Sequence, residues 1–180
     1  MGLKIVITGP VDSIKSVALK KILEILENEG KVIHGVLFGE VRKEGKLSGY
    51  SIYDLHTKRK AVFADVKLIS RVKIDKIGVD TRILEEILVP SLQKASEMAD
   101  YIVIDEIGKL QHTTRAVQAA IDGVLHGEKP LILTLHKKSR NPVLQEIRSL
   151  EGVRVFDITP INRNILPFKV LRVLQGEEGS

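Results

Sequence analysis

The sequence predicts an α/β fold in which a mainly parallel sheet is flanked by helices, and three observations carry that expectation. Apolar runs of strand length alternate with segments of helical periodicity. Two of the runs, "YIVID" at 101–105 and "LILTL" at 131–135, are apolar almost throughout, which suits strands buried on both faces of a parallel sheet. The stretch from Gly35 to Val79 breaks the alternation. Strand-like runs follow one another there across "RKEGKLSG" and "HTKRK" with no helix between them, so it reads as an antiparallel hairpin insertion.

Taken in order, the first strand is Lys4–Thr8, and a short polar loop leads from it to a helix at Lys15–Glu29 whose leucines and isoleucines recur at three- and four-residue spacing. Val32–Phe38, Ile52–Leu55 and Ala61–Val66 are the next strands, followed by a helix at Thr81–Ala99. The pattern then repeats as strand Tyr101–Asp105, helix Thr114–Leu125, strand Leu131–Leu135, helix Pro142–Leu150, strand Val153–Ile158 and helix Asn164–Leu174. A single domain is expected over 1–175, with the insertion at 35–79 inside it and a polar, glycine-rich tail at 176–180 expected to be disordered.

Composition removes several classes of function. Without cysteine there is no disulfide, thiolate zinc site or cysteine nucleophile, which fits a reducing compartment. The early apolar run, Leu3–Thr8, is too short for a signal-peptide core or a membrane span, so a cytoplasmic, soluble protein with no membrane partner is expected, a monomer by preference. A net charge of +5 favours anionic partners such as nucleotides or nucleic acid. The positive residues, among them Lys20, Lys21, Lys58, Arg59, Lys60, Lys137 and Lys138, are nevertheless scattered. Aromatics make up 4% of the chain and tryptophan is absent, so no nucleic-acid motif supports the electrostatic preference. The five histidines show no ligand spacing on one helix face and are assigned no metal.

The chemistry concentrates in two places. In "KIVITGPVDSIKSVALKKIL" a strand runs into Gly9, and Lys15-Ser16 follows at the spacing of a G-x-x-x-x-G-K-[ST] phosphate loop. Such a loop wraps phosphates with consecutive backbone N–H groups, bridges the outer phosphates with its lysine and offers a hydroxyl to magnesium. The candidate nucleotide-binding residues are therefore Gly9, Pro10, Val11, Asp12, Ser13, Ile14, Lys15, Ser16 and Val17. The second place is "YIVIDEIGKL", where a hydrophobic strand ends in two acids, a Walker B pattern. Asp105 is the candidate to hold Mg2+ together with Ser16, and Glu106 the candidate to polarise an attacking water. Thr134, near the end of "LILTL", reads first as a structural strand-end residue and second as a sensor of a γ-phosphate, and Lys109 reads first as a solvated lysine and second as one that reaches the site from the loop after the acids.

With these blocks in view the whole chain resembles the small P-loop nucleoside-triphosphatases of thermophiles, the family that includes the human cancer-related nucleoside-triphosphatase. The resemblance runs from Lys4 to Leu174 through "HGVLFGEVRKEGKLSGYSIYDL", "ILEEILVPSLQKASEMADY", "DEIGK" and "TPINRNILP". It implies the P-loop NTPase fold and Mg2+-dependent hydrolysis of ATP, GTP or another nucleoside triphosphate to the diphosphate and phosphate. It also implies roles for Arg42 and Arg163, at the family's Glu-Val-Arg and Asn-Arg positions, in stabilising transferred charge or holding the nucleotide. The chain departs from the family at Asp12 and Ile14, where glycines are usual, and at Val17, where a second hydroxyl is usual. Further departures are Leu110 and Gln111 after "DEIGK", Phe38 and Gly39 in place of Thr-Glu, and Leu47 in place of an arginine.

The loop departures have an expected cost. A β-branched residue forced to positive φ loses about 1–2 kcal/mol. One carboxylate about 5 Å from one phosphate charge, at an effective dielectric of about 20, loses about 3 kcal/mol. Together that is about 4–5 kcal/mol, about a thousandfold in affinity, so weakened binding and turnover are expected. Two other functions fit the same blocks: a catalytically silent nucleotide- or nucleic-acid-binding scaffold, and a nucleotide kinase, for which an arginine-rich lid is lacking.

Overall fold

The computed structural model describes residues 2–10, 12–109, 113–136 and 142–177, so Val11, Leu110, Gln111, Lys137, Lys138 and the last three residues of the tail lie outside it. In chain order the elements are β1 (Lys4–Gly9), α1 (Asp12–Asn28), β2 (Ile33–Lys43), β3 (Lys46–Asp54), β4 (Lys60–Asp65), β5 (Lys73–Ile74), β6 (Ile77–Val79), α2 (Thr81–Met98), β7 (Tyr101–Asp105), a 3₁₀ turn at Ile107–Lys109, α3 (Arg115–Leu125), β8 (Leu131–His136), α4 (Pro142–Ser149), β9 (Val153–Asp157) and α5 (Leu166–Leu174).

Alternation along β1 shows why its residues are apolar on both sides. Ile5 and Ile7 pack with Leu19, Ile22 and Leu26 of α1 and with Val170 and Leu171 of α5. Val6 points the other way, into a cluster with Leu84, Leu88 and Leu92 of α2 and Val117 and Ile121 of α3. Each face of the sheet thus has its own helical layer, as fully apolar strands require.

The described strands form one nine-stranded sheet in the order β5-β6-β4-β3-β2-β7-β8-β1-β9. The run β2-β7-β8-β1-β9 is parallel throughout. From β2 outward the pairing turns antiparallel, through β3 and β4 to the short β6 and β5. The hairpin insertion expected from the sequence is therefore an extension of the main sheet. Its small strands β5 and β6 escaped the sequence reading because two- and three-residue strands carry no measurable period.

β2 belongs to both halves. It pairs with β7 from Ile33 to Leu37, where Leu37 meets Asp105, and its remaining residues, to Lys43, pair only with β3 and project past the carboxyl edge of the parallel strands. Near its start Gly35 has φ +136°, and a Cβ there would stand 2.0 Å from the Val103 carbonyl oxygen. Only glycine lets β2 lie this close to β7.

Lys4, counted with the apolar run in the sequence, is fully buried at the base of β1. Its Nζ donates to the carbonyls of Val124 at 3.2 Å, Gly127 at 2.8 Å and Lys129 at 3.1 Å, tying the end of α3 and the turn after it to the sheet. Burial pushes the Lys4 ammonium below its ordinary pKa, and the nearby Glu128 partly opposes that shift. Among the described residues no helix is long and apolar enough to cross a membrane.

Candidate functional site

The parallel register gathers the chemistry-bearing residues at one edge of the sheet. Val6 and Ile104 both pair with Leu133 of β8, so the strands β1 and β7 flank β8 and end together. At that edge Thr134 of β8, itself fully buried, donates its hydroxyl to Oδ1 of Asp105, whose exposure is 9%. The bond holds the carboxylate in a fixed orientation at the mouth of the site. It also gives Thr134 a concrete partner in the acid.

Lys15 reaches the same place from α1. Its side chain is 1% exposed, and Nζ stands 3.7 Å from Oε1 of Glu106, which is 13% exposed. Gly9 makes room for it: a Cβ at position 9 would lie 2.7 Å from Cγ2 of Ile158 and 3.4 Å from Cγ of Lys15. The glycine at the end of β1 is thus required by close packing against both β9's exit and the lysine stem.

The remaining loop residues divide. Pro10 is exposed, Ser16 half-buried and Val17 exposed; only the backbone of Asp12 and Ser13, in the first turn of α1, is described. Ile14 is helical, with no positive φ, and its half-buried side chain packs against the cluster of Ala18, Leu19 and Ile22. The backbone strain expected of Ile14 is therefore not present in this structure, because α1 begins at Asp12 and takes position 14 into regular helix.

The two arginines stand apart from each other. Arg163 is exposed and, with Asn164, lines a cavity of about 260 Å3 whose other walls are Ile14, Val17 and Ala18 of α1. Arg42 lies in the overhanging part of β2, five residues beyond Leu37, or about 17 Å along an extended strand. It is 54% exposed, pairs with Oε2 of Glu40 at 2.7 Å and donates to the Gly45 carbonyl at 3.1 Å. The structure does not bring it together with Lys15 and Glu106. Lys109 sits in the 3₁₀ turn after the acids, and its side chain is not described.

One neighbour of the site was not singled out from the sequence. Tyr50 of β3 donates to Oδ2 of Asp75 at 2.9 Å, and burial, Asp75, Glu40 and Glu106 together hold its phenol protonated far above the ordinary range. β3 lies next to β2, whose Leu37 pairs with Asp105 of β7. Only the antiparallel pairing of β3 with β2 brings it there, a relationship invisible in local sequence.

The two residues expected from the sequence to hold a divalent cation, Ser16 and Asp105, offer a hydroxyl and a carboxylate, hard oxygens that suit Mg2+. Among the described residues no group of three or more His, Cys, Asp or Glu side chains is arranged to hold a metal by itself. A Mg2+ ion here would be completed by substrate oxygens and water, which is its usual habit in phosphoryl-transfer sites. The residues fit the ion.

A sheet of this order, with a lysine from the β1–α1 junction and an acid pair at the end of β7 meeting at its carboxyl edge, defines the α/β fold of the P-loop nucleoside-triphosphatases. The NTPase family profile matches residues 4–171. The chain is 65% identical over 178 residues to the nucleoside-triphosphatase THEP1 of Thermoplasma volcanium, covering 99% of this chain and 100% of the relative. It is 66% identical over 178 residues to THEP1 of Thermoplasma acidophilum, covering 99% and 98%. Among solved structures, THEP1 from Aquifex aeolicus superposes with a TM-score of 0.80 at 27% identity, over 96% of this chain and 99% of the other. The human cancer-related nucleoside triphosphatase superposes with a TM-score of 0.79 at 25% identity, over 99% and 100%. The chain belongs to the nucleoside-triphosphatase THEP1 family.

Proposed function

We propose that the protein binds a nucleoside triphosphate with Mg2+ and hydrolyses it to the diphosphate and phosphate, at a rate and affinity lowered by its departures in the phosphate loop. The observation that carries the reading is the convergence of the Lys15 ammonium and the Glu106 carboxylate, 3.7 Å apart, beside an Asp105 fixed by Thr134. In this reading Lys15 meets the β- and γ-phosphates and neutralises charge as the terminal phosphoryl group leaves. Glu106, at the rim of the site, orients the water and accepts its proton. Ser16 and Asp105 would hold Mg2+, which would supply positive charge to offset that of the phosphates.

The cavity beside α1 supports a place for the nucleoside. Its walls are aliphatic on the α1 side and polar on the side of Arg163 and Asn164, which suits a base lying between an apolar surface and a guanidinium. Arg163 accordingly belongs to the nucleoside end rather than to the transferred phosphate. Arg42 enters a role only if the β2–β3 overhang moves toward the site and Glu40 releases it. Cytoplasmic location and a monomeric state remain part of the proposal on composition alone.

A second reading, a nucleotide-binding protein without turnover, takes its support from Asp12 at the onset of α1, where a carboxylate opposes phosphate charge. Phosphate release with Mg2+ and each of ATP, GTP, CTP and UTP, measured beside Lys15→Ala, decides between them. Turnover that disappears in the variant supports hydrolysis. Saturable binding with no release above the variant's background supports the silent reading.

A further inference from the structure

The turn between β9 and α5 presents Arg163 and Asn164 to the cavity, and its shape depends on one side chain. Asn162 accepts at Oδ1 from the Thr159 N–H, 2.8 Å away, and donates from Nδ2 to the Asp157 carbonyl at 2.8 Å. Its own N–H donates to the Thr159 hydroxyl at 3.3 Å, and its carbonyl accepts from the N–H groups of Ile165 and Leu166, both at 2.9 Å. The Arg163 N–H closes the turn onto the Thr159 carbonyl at 3.0 Å. Asn162 therefore spans the turn, from the last residue of β9 to the first of α5.

The start of this turn is anchored to the strand that leads into the phosphate loop. The Ile158 N–H donates to the Thr8 carbonyl at 2.7 Å, the Thr8 hydroxyl donates to Oδ1 of Asp157 at 3.4 Å, and Ile158 closes over Gly9. The turn is thus held against β1 at one end and by α5 at the other. Asn162's two side-chain bonds add to these backbone bonds and tie the path between, where Arg163 and Asn164 stand, back to Asp157 and Thr159.

We propose that Asn162 is a positioning residue for nucleoside recognition: it touches no ligand, and it fixes the turn that aims Arg163 and Asn164 at the cavity walled by Ile14, Val17 and Ala18. The inference rests on the reading of that cavity as the nucleoside site. An asparagine suits the task because it supplies an acceptor and a donor in one plane, bridging a backbone N–H and a backbone carbonyl at once. Aspartate keeps the acceptor for Thr159 and loses the donor to Asp157.

The test compares a probe with a nucleoside and one without. The β,γ-imido analogue of ATP and inorganic tripolyphosphate, each with Mg2+, are titrated by NMR against wild type, Asn162→Ala, Asn162→Asp and Arg163→Ala. Asn162→Ala is expected to weaken the analogue about tenfold and leave tripolyphosphate within about twofold, with Asn162→Asp in between. Thermal melts show whether each variant is folded at the titration temperature. Equal weakening of both probes, or an unchanged analogue affinity in Asn162→Ala when Arg163→Ala loses it, would overturn the positioning role. An Arg163→Ala variant that binds both probes as wild type does would instead overturn the nucleoside reading itself.

Discussion

Lys15 and Glu106 face each other across the carboxyl edge of the sheet, Nζ to Oε1 at 3.7 Å, although 91 positions separate them in the chain (106 − 15). The ammonium is held in a pocket almost closed to solvent while the carboxylate keeps a partial view of it. In the proposed function the two have different partners: the lysine phosphate oxygens, the acid water. Binding a triphosphate therefore entails exchanging one anionic neighbour of Lys15 for another.

The first prediction follows from that exchange. Glu106→Gln is expected to lower turnover about 10²–10⁴-fold, the usual contribution of a general base. Affinity for the β,γ-imido analogue is expected to hold or rise, because the neutral amide competes less for the ammonium. Steady-state phosphate release and a binding titration check the two parts. A loss of turnover below tenfold would remove Glu106 from the reaction.

Thr134 gives a second. Thr134→Val keeps the shape of the buried side chain and deletes the hydroxyl that donates to Asp105, removing that hold on the carboxylate's orientation. Loss of a hydrogen bond to a charged group is worth about 1.5–3 kcal/mol, or at least about tenfold in an equilibrium. The Mg2+ concentration for half-maximal activity is expected to rise by about that factor, and the melting temperature to fall by several degrees. An unchanged Mg2+ dependence would show that Asp105 is oriented by other contacts.

How far the sequence anticipated this arrangement depends on the range of the interaction involved. The parallel strands and the acids at the end of "YIVID" follow from local pattern, because burial on both faces writes itself into five consecutive residues. Lys15 and Ser16 were found by spacing, which survives the loss of the loop's glycines. What local pattern does not carry is long-range: β3 joining the sheet beside β2, one strand from the acid-bearing β7, β2 overshooting the sheet and taking Arg42 with it, and the buried Lys4 completing the end of α3. Ile14 shows a different limit: its strain applies only where the loop keeps a phosphate-binding shape, and here the helix starts at Asp12 and takes position 14 into regular helix.

His34 supplies a prediction in pH. It is 3% exposed on β2, its ring stacks on His56 with centroids 4.2 Å apart, and its Nδ1 has no hydrogen-bond partner among the described residues. Burial foremost, then the charge of His56, pushes its pKa below 6.5; Asp54 opposes the shift and Lys94 of α2 reinforces it. Below 6.5 the unfolded chain binds a proton that the folded one resists, so stability is full above that value and falls as pH drops toward the lowered folded pKa. Over that window the slope is at most about 1.4 kcal/mol per pH unit. Denaturant melts from pH 7.5 to 5 are expected to show it, and His34→Gln is expected to flatten it; an equal slope in the variant would assign the proton elsewhere.

The last prediction separates the two departures in the phosphate loop. Asp12 opposes phosphate by charge, whatever its conformation, so Asp12→Gly is expected to tighten binding of the β,γ-imido analogue up to about a hundredfold, the equivalent of about 3 kcal/mol. Ile14 is another matter, because it is helical and packs on the α1 side of the core. Ile14→Gly exchanges a fair helix former for a poor one at a cost of about 0.5 kcal/mol in propensity, and adds the loss of a half-buried side chain worth about 1 kcal/mol. It is expected to lower the melting temperature by several degrees and to add less than threefold to the affinity gained by Asp12→Gly. The four proteins of the double-mutant cycle, titrated and melted side by side, make the comparison. A double variant that binds ten times more tightly than Asp12→Gly alone would show that triphosphate binding unwinds the first turn of α1, and that Ile14 resists there.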